Sequence, residues 1–168
     1  MSPSVAPRTR EDVFAILETV MDPEVPVISV VDLGIVRDAQ VADGTVRVTV
    51  TPTYSGCPAM REIEADITSA LEAAGATQVI IDVVLAPAWT TDWIGPAARE
   101  KLRAYGIAPP GKAEPQGLVT LTRPRARPAC PFCGSADTRL QSEFGSTACK
   151  AIHVCNGCRQ PFDEFKAF

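Results

Sequence analysis

Apolar residues near the start of the chain recur at helical spacing. Between Val13 and Val20 they fall three or four positions apart, which is the pattern of one buried helix face. Thr9 precedes this pattern and Asp12 follows three residues later, an approximate capping box that favours a helix start at Thr9. Helical backbone is disfavoured before a proline, so this helix should end before Asp22-Pro23.

Three later segments have the pattern of β-strands. Residues 22–36, DPEVPVISVVDLGIV, begin with two prolines and continue with apolar, β-branched residues, which predicts a loop passing into a buried strand. Two strand-like runs flank Asp43-Gly44, a common tight-turn pair, and the alternate valines from Val46 to Val50 predict a hairpin with one buried face. The run TQVIIDVVLAPAW, residues 77–89, is apolar enough to predict a central strand.

Two further segments have the pattern of helices. Apolar residues keep to one helical face from Pro58 until the pattern ends near Gly75. A shorter helix follows, with Pro96 in its first turn and Gly106 at its end. After a Pro- and Gly-rich linker, residues 118–128 are a candidate last strand.

The order of these elements predicts the fold class. Helix, strand, hairpin strand, helix, strand and helix suggest an α+β domain at residues 1–122, with a small sheet and helices packed on one face. Residues 123–168 differ in character: they are net basic where the first 122 are net acidic, and they hold most of the cysteines. We therefore predict a second module at residues 123–168.

The composition limits the classes of function. Hydrophobic residues make up 46% of the 168 residues, enough for a packed core, and the net charge of −4 disfavours general nucleic-acid binding. No apolar run approaches the roughly 18–20 residues of a membrane span, and the polar start of the chain lacks the apolar segment of a signal peptide. We therefore expect a cytoplasmic protein whose cysteines bind metal or react as thiols rather than form disulfides.

Two CxxC pairs characterise the second module. Cys130 and Cys133 form the first pair, and Cys155 and Cys158 form the second. Two such turns complete a tetrahedral four-sulfur site, which predicts a zinc ribbon with a structural zinc ion, although geometry alone also allows iron. The metal would supply the core that so short a module lacks, and a closed four-sulfur site suits scaffolding rather than hydrolysis.

Cys149 and His153 lie between the two CxxC pairs. Either side chain could replace a zinc ligand. Otherwise, we expect Cys149 to be a buried or free thiol in a turn and His153 to be a strand residue that faces solvent. Because His153 is the one histidine of the chain, a hydrolase of the Cys–His type is disfavoured. The sequence also lacks a glycine-rich phosphate loop, a nucleotide fingerprint and an HExxH motif.

Cys57 lies apart from the other cysteines, in TPTYSGCPA. Because Pro58 suits the first helical position, we expect Cys57 near a helix N-cap, where the helix dipole and free backbone N–H groups favour a thiolate. The segment also offers nearby hydroxyl groups, from Thr51, Thr53, Tyr54 and Ser55. Such a thiol could be a nucleophile, a redox centre or a soft-metal ligand, and the local sequence leaves an inert thiol packed under the helix equally open.

Three acidic residues and two tryptophans complete the candidates. Asp22, Glu24 and Asp32 flank the predicted buried strand. Paired carboxylates can do acid–base work or bind metal, whereas in a solvated loop they would only stabilise turns. Trp89 and Trp93 share one segment and are either core residues or a partner-binding patch.

Several of these motifs resemble known families. DPEVPVISVVDLGIV and TPTYSGCPA together resemble the small domain of the cytosolic iron–sulfur assembly factors. A narrower resemblance extends along nearly the whole chain. PAWTTDWI, REKLRAYGIAPP, CPFCGS, SEFGSTACKA and PFDEFKAF are similar to the PaaD-type subunit of the phenylacetyl-CoA epoxidase (phenylacetate-CoA oxygenase) system.

The resemblance implies an accessory, non-catalytic role. In that family the oxygenase chemistry belongs to a di-iron subunit and to a reductase that carries flavin and a [2Fe–2S] cluster. The PaaD-type subunit would assist cluster assembly or delivery to the reductase. Its partners would be the reductase and/or oxygenase subunits, with no nucleic acid or membrane involved.

The resemblance also implies roles for single residues. Cys57 takes the place of the family's reactive cysteine, a candidate for transient binding of iron or an iron–sulfur cluster. Asp22, Glu24 and Asp32 match the family's acidic positions. The four CxxC cysteines match its ribbon ligands, and Cys149 lies in FGSTACK, which is part of the family pattern.

Two other hypotheses stay open at this point. One is a structural accessory subunit that docks oxygenase components through its ribbon and tryptophan segment without cluster chemistry. The other is a thiol oxidoreductase that uses Cys57 and Cys149. Because one cysteine cannot hold a cluster alone, the remaining ligands would come from Cys149, from a second copy of the chain in a homodimer, or from the client protein.

Overall fold

The computed structural model describes residues 6–54, 56–111 and 127–167, which belong to two compact units, Met1–Trp89 and Thr90–Phe168. Both units combine helix and strand, so the predicted α+β class is confirmed. The predicted boundary between residues 122 and 123 lies outside the described residues, as does most of the candidate strand at 118–128. None of the described helices has the length and apolar character needed to cross a membrane.

The first unit begins with helix α1, Arg10–Leu17. The predicted capping box is confirmed, because the Thr9 hydroxyl accepts a hydrogen bond from the Asp12 backbone N–H at 3.1 Å and the Asp12 carboxylate accepts one from the Thr9 N–H at 3.0 Å. Each bond satisfies an N–H group that the first helical turn leaves unpaired. Val13 and Leu17 are fully buried, as the helical spacing requires.

Residues 22–35 form a series of turns, so the strand predicted in the second half of this segment is wrong. One isolated bridge joins Met21 to Ser29, and the first regular strand begins only at Val36. The apolar side chains are buried as predicted, but Asp22 and Asp32 accept hydrogen bonds from backbone N–H groups of the segment and so compete with strand pairing.

The first sheet has three strands, β1 (Val36–Ala42), β2 (Thr45–Val50) and β3 (Gln78–Val83), in the order β1-β2-β3. Strands β1 and β2 form the predicted antiparallel hairpin, and both turn residues, Asp43 and Gly44, have positive φ angles, 48° and 78°. The alternate valines of β2 are buried, as predicted.

Strand β3 is an edge strand, so the prediction of a central strand is wrong. It pairs in parallel with β2, and no further strand lies beside it in the described part of the chain. Its residues from Val79 to Asp82 are half-buried rather than buried. The apolar residues that suggested a central strand therefore lie at the edge of the described sheet.

Helix α2, Met60–Ala73, crosses over between β2 and β3 and packs against β3, while α1 packs against β1 and α2. Its buried face consists of Met60, Ile63, Ile67 and Leu71.

Trp89 is the last residue of this unit. Its side chain is buried, and its indole N–H donates a hydrogen bond to the Leu33 carbonyl at 3.0 Å. Trp89 is therefore a core residue.

The second unit begins with a short 3₁₀ turn, Thr91–Trp93, and helix α3, Pro96–Tyr105. Pro96 occupies the first turn and Gly106 caps the C-terminus with a left-handed φ of 95°, both as predicted. The Arg99 guanidinium fixes this segment by donating to the carbonyl oxygens of Thr91, Ile94 and Pro110 at 2.6–3.0 Å.

The second sheet has four strands: β4 (Ile107–Ala108), β5 (Thr138–Ser142), β6 (Lys150–Cys155) and β7 (Pro161–Phe165). Their order is β4-β7-β6-β5. The pairing of β4 with β7 is parallel and joins Ile107 to Asp163. Through this pairing α3 and β4, which the sequence analysis placed in the first module, belong to the compact unit that holds the ribbon.

Candidate metal centre and reactive thiol

Four thiols converge in the second unit. Cys130 and Cys133 come from a turn ahead of β5, and Cys155 and Cys158 come from the turn between β6 and β7. The four Sγ atoms all lie within 4.8 Å of one another, with 3.7 Å between Cys130 and Cys158 and 3.5 Å between Cys133 and Cys155. A tetrahedral ion with metal–sulfur bonds of about 2.3 Å requires Sγ separations of about 3.8 Å, so these residues fit a four-sulfur metal site.

The two CxxC turns have matching backbone geometry. In the first, the Gly134 N–H donates to the Cys130 carbonyl at 2.8 Å, and in the second the Arg159 N–H donates to the Cys155 carbonyl at 2.9 Å. The residue after each second cysteine has a positive φ angle, 75° at Gly134 and 63° at Arg159. The two turns therefore present their thiols in the same way, as a paired metal site requires.

The electrostatics of the second CxxC turn favour one thiolate. The Cys158 backbone N–H points at the Cys155 sulfur, 3.4 Å away, and this contact is the main reason that the pKa of Cys155 falls to about 6. The Gln160 backbone N–H favours the thiolate of Cys158, but burial and the neighbouring thiols outweigh it and raise the pKa of Cys158 to about 12. In the absence of a cation, the Cys158 thiol therefore retains a proton that a metal would displace.

Burial closes the four-sulfur site on one side. Cys130 and Cys155 are buried in a small core with Ala108 and Phe162, whereas Cys133 is exposed and Cys158 is half-buried. Phe132, inside the first CxxC turn, lies against Gly106 at the end of α3, where an added Cβ would come within 3.0 Å of its ring. The site is thus built into the sheet, and its four sulfurs leave no coordination position for water on a tetrahedral ion.

Cys149 and His153 do not belong to the four-sulfur group. Cys149 is buried immediately before β6, and its sulfur lies 3.0 Å from the Thr147 hydroxyl. His153 lies in a strand as predicted, but the expectation that it faces solvent is wrong. Its side chain is buried, stacks on Phe162 and contacts the Glu164 carboxylate.

The ribbon also buries charged side chains that the sequence analysis did not single out. Lys150 and Glu164 are 6% and 4% exposed, and the Lys150 Nζ lies 4.0 Å from an Asp163 carboxylate oxygen. The strand alternation of PFDEF could have placed Glu164 on the same face as Phe162, which is the one sequence signal for its burial.

Cys57 lies in the turn between β2 and α2 and is half-buried. Its backbone N–H donates to the Tyr54 carbonyl, and its carbonyl accepts from the Met60 N–H, both at 3.3 Å. Helix α2 begins at Met60 with Ala59 as its N-cap, so the prediction of Pro58 as the first helical residue is wrong. Cys57 consequently lies two residues ahead of the N-cap.

The hydroxyl groups near Cys57 differ in their surroundings. Thr51 is 1% exposed, and its Oγ1 atom has no hydrogen-bond partner among the residues that the structure describes. Thr53 and Tyr54 are half-buried, and Ser55 lies outside the described residues. Thr51 therefore brings a buried, unsatisfied polar atom to the end of β2, immediately before the turn that carries Cys57.

Two of the three candidate acids, Asp22 and Asp32, accept hydrogen bonds from backbone N–H groups. Asp22 is buried, and its Oδ1 atom accepts hydrogen bonds from the N–H groups of Glu24 and Val25 at 2.9 and 2.8 Å. Asp32 accepts from the Ser29 N–H, and the Ser29 hydroxyl accepts from the Asp32 N–H in return. These acids and Cys57 do not form a group of three potential metal ligands, because the ribbon cysteines are the one such group within the described ranges.

Comparison with known proteins agrees with this two-part construction. An iron–sulfur cluster assembly protein model matches residues 10–83, and a PaaD zinc beta ribbon domain model matches residues 114–166. Over 164 residues the chain is 46% identical to a protein of Escherichia coli (strain K12) that is provisionally named as a subunit of 1,2-phenylacetyl-CoA epoxidase, with 97% of this chain and 96% of that protein covered. The chain belongs to the PaaD family.

Two further similarities concern the first PaaD module. An Fe-S protein maturation auxiliary factor of Porphyromonas gingivalis is 40% identical over 97 residues, which cover 56% of this chain and 91% of that protein. A solved domain of unknown function, DUF59, from Bacillus anthracis aligns with a TM-score of 0.52 at 28% identity, covering 55% of this chain and 90% of that one. This chain thus joins a zinc-ribbon module to a domain that accounts for about nine-tenths of each of these two relatives.

Proposed function

We propose that this PaaD-family chain is a non-catalytic accessory factor that assists iron–sulfur assembly in a phenylacetyl-CoA epoxidase system. The observation that carries the proposal is the 46% identity along 97% of the chain to a protein named as a subunit of that epoxidase. The relatives of the first module support the iron–sulfur part of the proposal, because one is named as an Fe-S protein maturation auxiliary factor. On this proposal the chain works in the cytoplasm and delivers a cluster to the reductase component.

Cys57 is the proposed cargo ligand. It is half-buried in a turn rather than sealed in the core, so a client could reach its sulfur. No group of three potential ligands surrounds it in the described part of the chain, so its hold on iron or a cluster would be incomplete without ligands from elsewhere. An incomplete ligand set suits a site that passes its cargo on. Asp22, Glu24 and Asp32 are proposed to support this site, and Cys149 stays a candidate second thiol.

Cys130, Cys133, Cys155 and Cys158 are proposed to hold a structural zinc ion. A bound zinc would supply the second unit with cross-links between its two CxxC turns. Its four-sulfur shell is closed, which separates this metal from the cargo site of Cys57.

The proposal is tested by replacing Cys57 with serine in cells that make the epoxidase reductase and oxygenase. We expect zinc content and folding of the chain to stay unchanged and the cluster content of the reductase to fall. Cys149→Ser serves as the comparison, because a fall there too would identify the second thiol. An unchanged cluster content with Cys57→Ser would favour a structural subunit that docks the oxygenase components without cluster chemistry.

Anaerobic metal analysis of the purified chain gives an independent readout. We expect one zinc in wild type and in Cys57→Ala, with iron bound by wild type alone after reconstitution. If wild type and Cys57→Ala bind equal amounts of iron, Cys57 is not the cargo ligand. If both contain iron in place of zinc, the ribbon metal is iron.

A further inference from the structure

Strand β3 offers an apolar edge that no other described strand covers. Its outer backbone N–H and C=O groups have no strand partner among the described residues. Natural edge strands are usually protected by charges, prolines or bulges, but β3, QVIIDV, has one charged residue, Asp82, which pairs with Arg47 of β2, and no proline or bulge. Val79 and Ile81 are half-buried, and Val83 is 48% exposed. Such an edge is a template for pairing with another strand.

A groove follows this edge on the helical side of the sheet. It has a volume of about 540 Å³ and an apolar floor of Val79 and Ile81. Helix α2 forms its wall with Arg61, Glu64, Ala65, Thr68, Ser69 and Glu72. Ala65, Thr68 and Ser69 are small, so another helix could approach α2 closely at these positions.

The charges at the two ends of this wall are complementary, and Glu64 is its third charged residue. Arg61 lies near the start of α2 and Glu72 near its end, both are exposed, and neither forms an ion pair with another residue that the structure describes. The point midway between Arg61 and Glu72 also lies midway between Ala65 and Thr68. A two-fold axis at that point brings Arg61 of each copy to Glu72 of the other, and Ala65 to Thr68.

We propose that β3 and α2 form the interface of a homodimer in which two copies of the chain continue each other's sheet. The β3 strands pair antiparallel about a two-fold axis at Ile80, and the α2 helices lie antiparallel on the same face. This is an isologous contact, in which each residue meets its counterpart across the axis. The sheet and the helical layer of the first unit therefore both continue across the interface.

The same two-fold symmetry that pairs the α2 helices also gives a consistent pairing of the two β3 strands. With Ile80 on the axis, Val79 lies opposite Ile81 of the second copy, and Gln78 lies opposite Asp82. Residues that lie directly opposite each other in an antiparallel pair share a face of the sheet, so this register keeps both helical layers on one side. It also places no two like charges opposite each other, a pairing that would be destabilising.

The same geometry keeps the two cargo thiols apart. Cys57 lies ahead of α2, about ten residues from the axis position, so the antiparallel helices carry the two copies of Cys57 to opposite ends of the interface. At 1.5 Å per residue they lie on the order of 30 Å apart. Each copy of the chain therefore keeps its own Cys57 site, and the dimer does not supply a second thiol to it.

Charge reversal of the full-length, zinc-loaded chain tests the interface. Arg61→Glu and Glu72→Arg should each raise the dimer dissociation constant at least tenfold, measured by sedimentation velocity over a range of concentrations. The double variant Arg61→Glu/Glu72→Arg should recover most of the affinity, because it restores the opposite charges across the axis. Asp66→Arg is the matched control on an exposed position of α2 outside the groove, and it should leave the dissociation constant within about twofold of wild type.

Two outcomes would overturn the proposal. One is a wild-type chain that stays monomeric at the highest accessible concentration, which would leave the groove to a client protein. The other is a dimer whose dissociation constant is the same in wild type and both single variants, which would place the interface elsewhere. Because zinc and iron contents are measured separately, either result leaves the proposed function standing.

A cross-linking experiment tests the strand register. Ile80→Cys places two thiols across the axis, within the Cα separation that a disulfide spans. Mild oxidation should give a covalent dimer of this variant. Gln40→Cys, an exposed position on the opposite edge strand β1, should give none, and equal cross-linking of the two variants would refute the register.

Discussion

His153 Nε2 lies 2.8 Å from Glu164 Oε2, and both residues are 4% exposed. The pair joins β6 to β7 within the sheet that supports the second CxxC turn. The other ring nitrogen, Nδ1, is buried without a hydrogen-bond partner in the part of the chain that the structure describes. Each member therefore depends on the other for its main polar contact.

Breaking the His153–Glu164 pair should destabilise the second unit strongly. Glu164→Ala leaves a buried imidazole without its partner, and a buried polar group left unsatisfied costs about 1–3 kcal/mol. Glu143→Ala, at an exposed position, should stay within about 0.5 kcal/mol of wild type. Amide hydrogen exchange in β6 and β7 measures the loss of stability in both variants. The apolar double variant His153→Phe/Glu164→Leu should recover much of the loss, and equal protection in Glu164→Ala and Glu143→Ala would contradict this account.

Removing the ribbon metal should open the second unit and leave the first unit folded. Chelation leaves four thiols crowded within 4.8 Å without a cation, so amides of β6 and β7 should lose exchange protection. Because β4 pairs with β7, Ile107 and Ala108 should lose protection as well. Trp93→Phe leaves Trp89 as the one tryptophan, and its fluorescence should report an intact first unit. A cooperative loss of the Trp89 signal on chelation would show that the two units unfold together.

Substitution of Asp22 separates its structural role from its charge. Asp22→Ala removes the acceptor of two backbone N–H groups and should cost about 1–3 kcal/mol for each buried donor left unsatisfied. Asp22→Asn keeps an acceptor oxygen and should cost less. If the charge of Asp22 supports iron binding, Asp22→Asn will lower iron content at nearly normal stability. Equal thermal stability of wild type and Asp22→Ala would show that these two hydrogen bonds do not hold the segment.

The capping box of α1 should make stability depend on acid pH. Hydrogen bonds from the backbone N–H groups of Arg8 and Thr9 lower the pKa of Asp12 below the usual aspartate value of 3.8. Asp12 therefore contributes stability that is fully present above that value and is lost as the pH falls through its lowered folded-state pKa. The stability difference between wild type and Asp12→Asn should shrink as the pH falls below 3.8 and through this lowered pKa. Glu11→Gln, exposed in the same turn, is the control, and a pH-independent difference for Asp12→Asn would contradict the assignment.

The features that were correctly predicted depend on short-range sequence signals. The Thr9–Asp12 box, the Asp43-Gly44 hairpin and the Pro96–Gly106 helix limits each need only a few neighbouring residues. The four ribbon cysteines are likewise recognisable because each CxxC turn presents both thiols by itself. Local backbone chemistry decides these elements, and distant contacts change little.

The features that were wrongly predicted depend on what lies next to a segment in space. Strand β3 is as apolar as a central strand, but nothing in its sequence states that β2 is its one neighbour in the described sheet. The apolar run after Asp22 is buried as expected, yet side-chain acceptors in the same segment favour turns over a strand. His153 has no local signal for burial, because its partner Glu164 lies on the next strand.

The place of β4 in the second sheet has a consequence for the order of folding during synthesis. Strand β4 contacts the sheet through β7, whose residues follow more than fifty positions later in the chain. A ribosome therefore releases α3 and β4 well before their sheet neighbour exists, whereas every strand of the first sheet is complete by Val83. The first unit can acquire its fold while the chain is still growing, whereas the second unit can complete its four-sulfur site only after Cys158 emerges and its sheet only after β7 emerges.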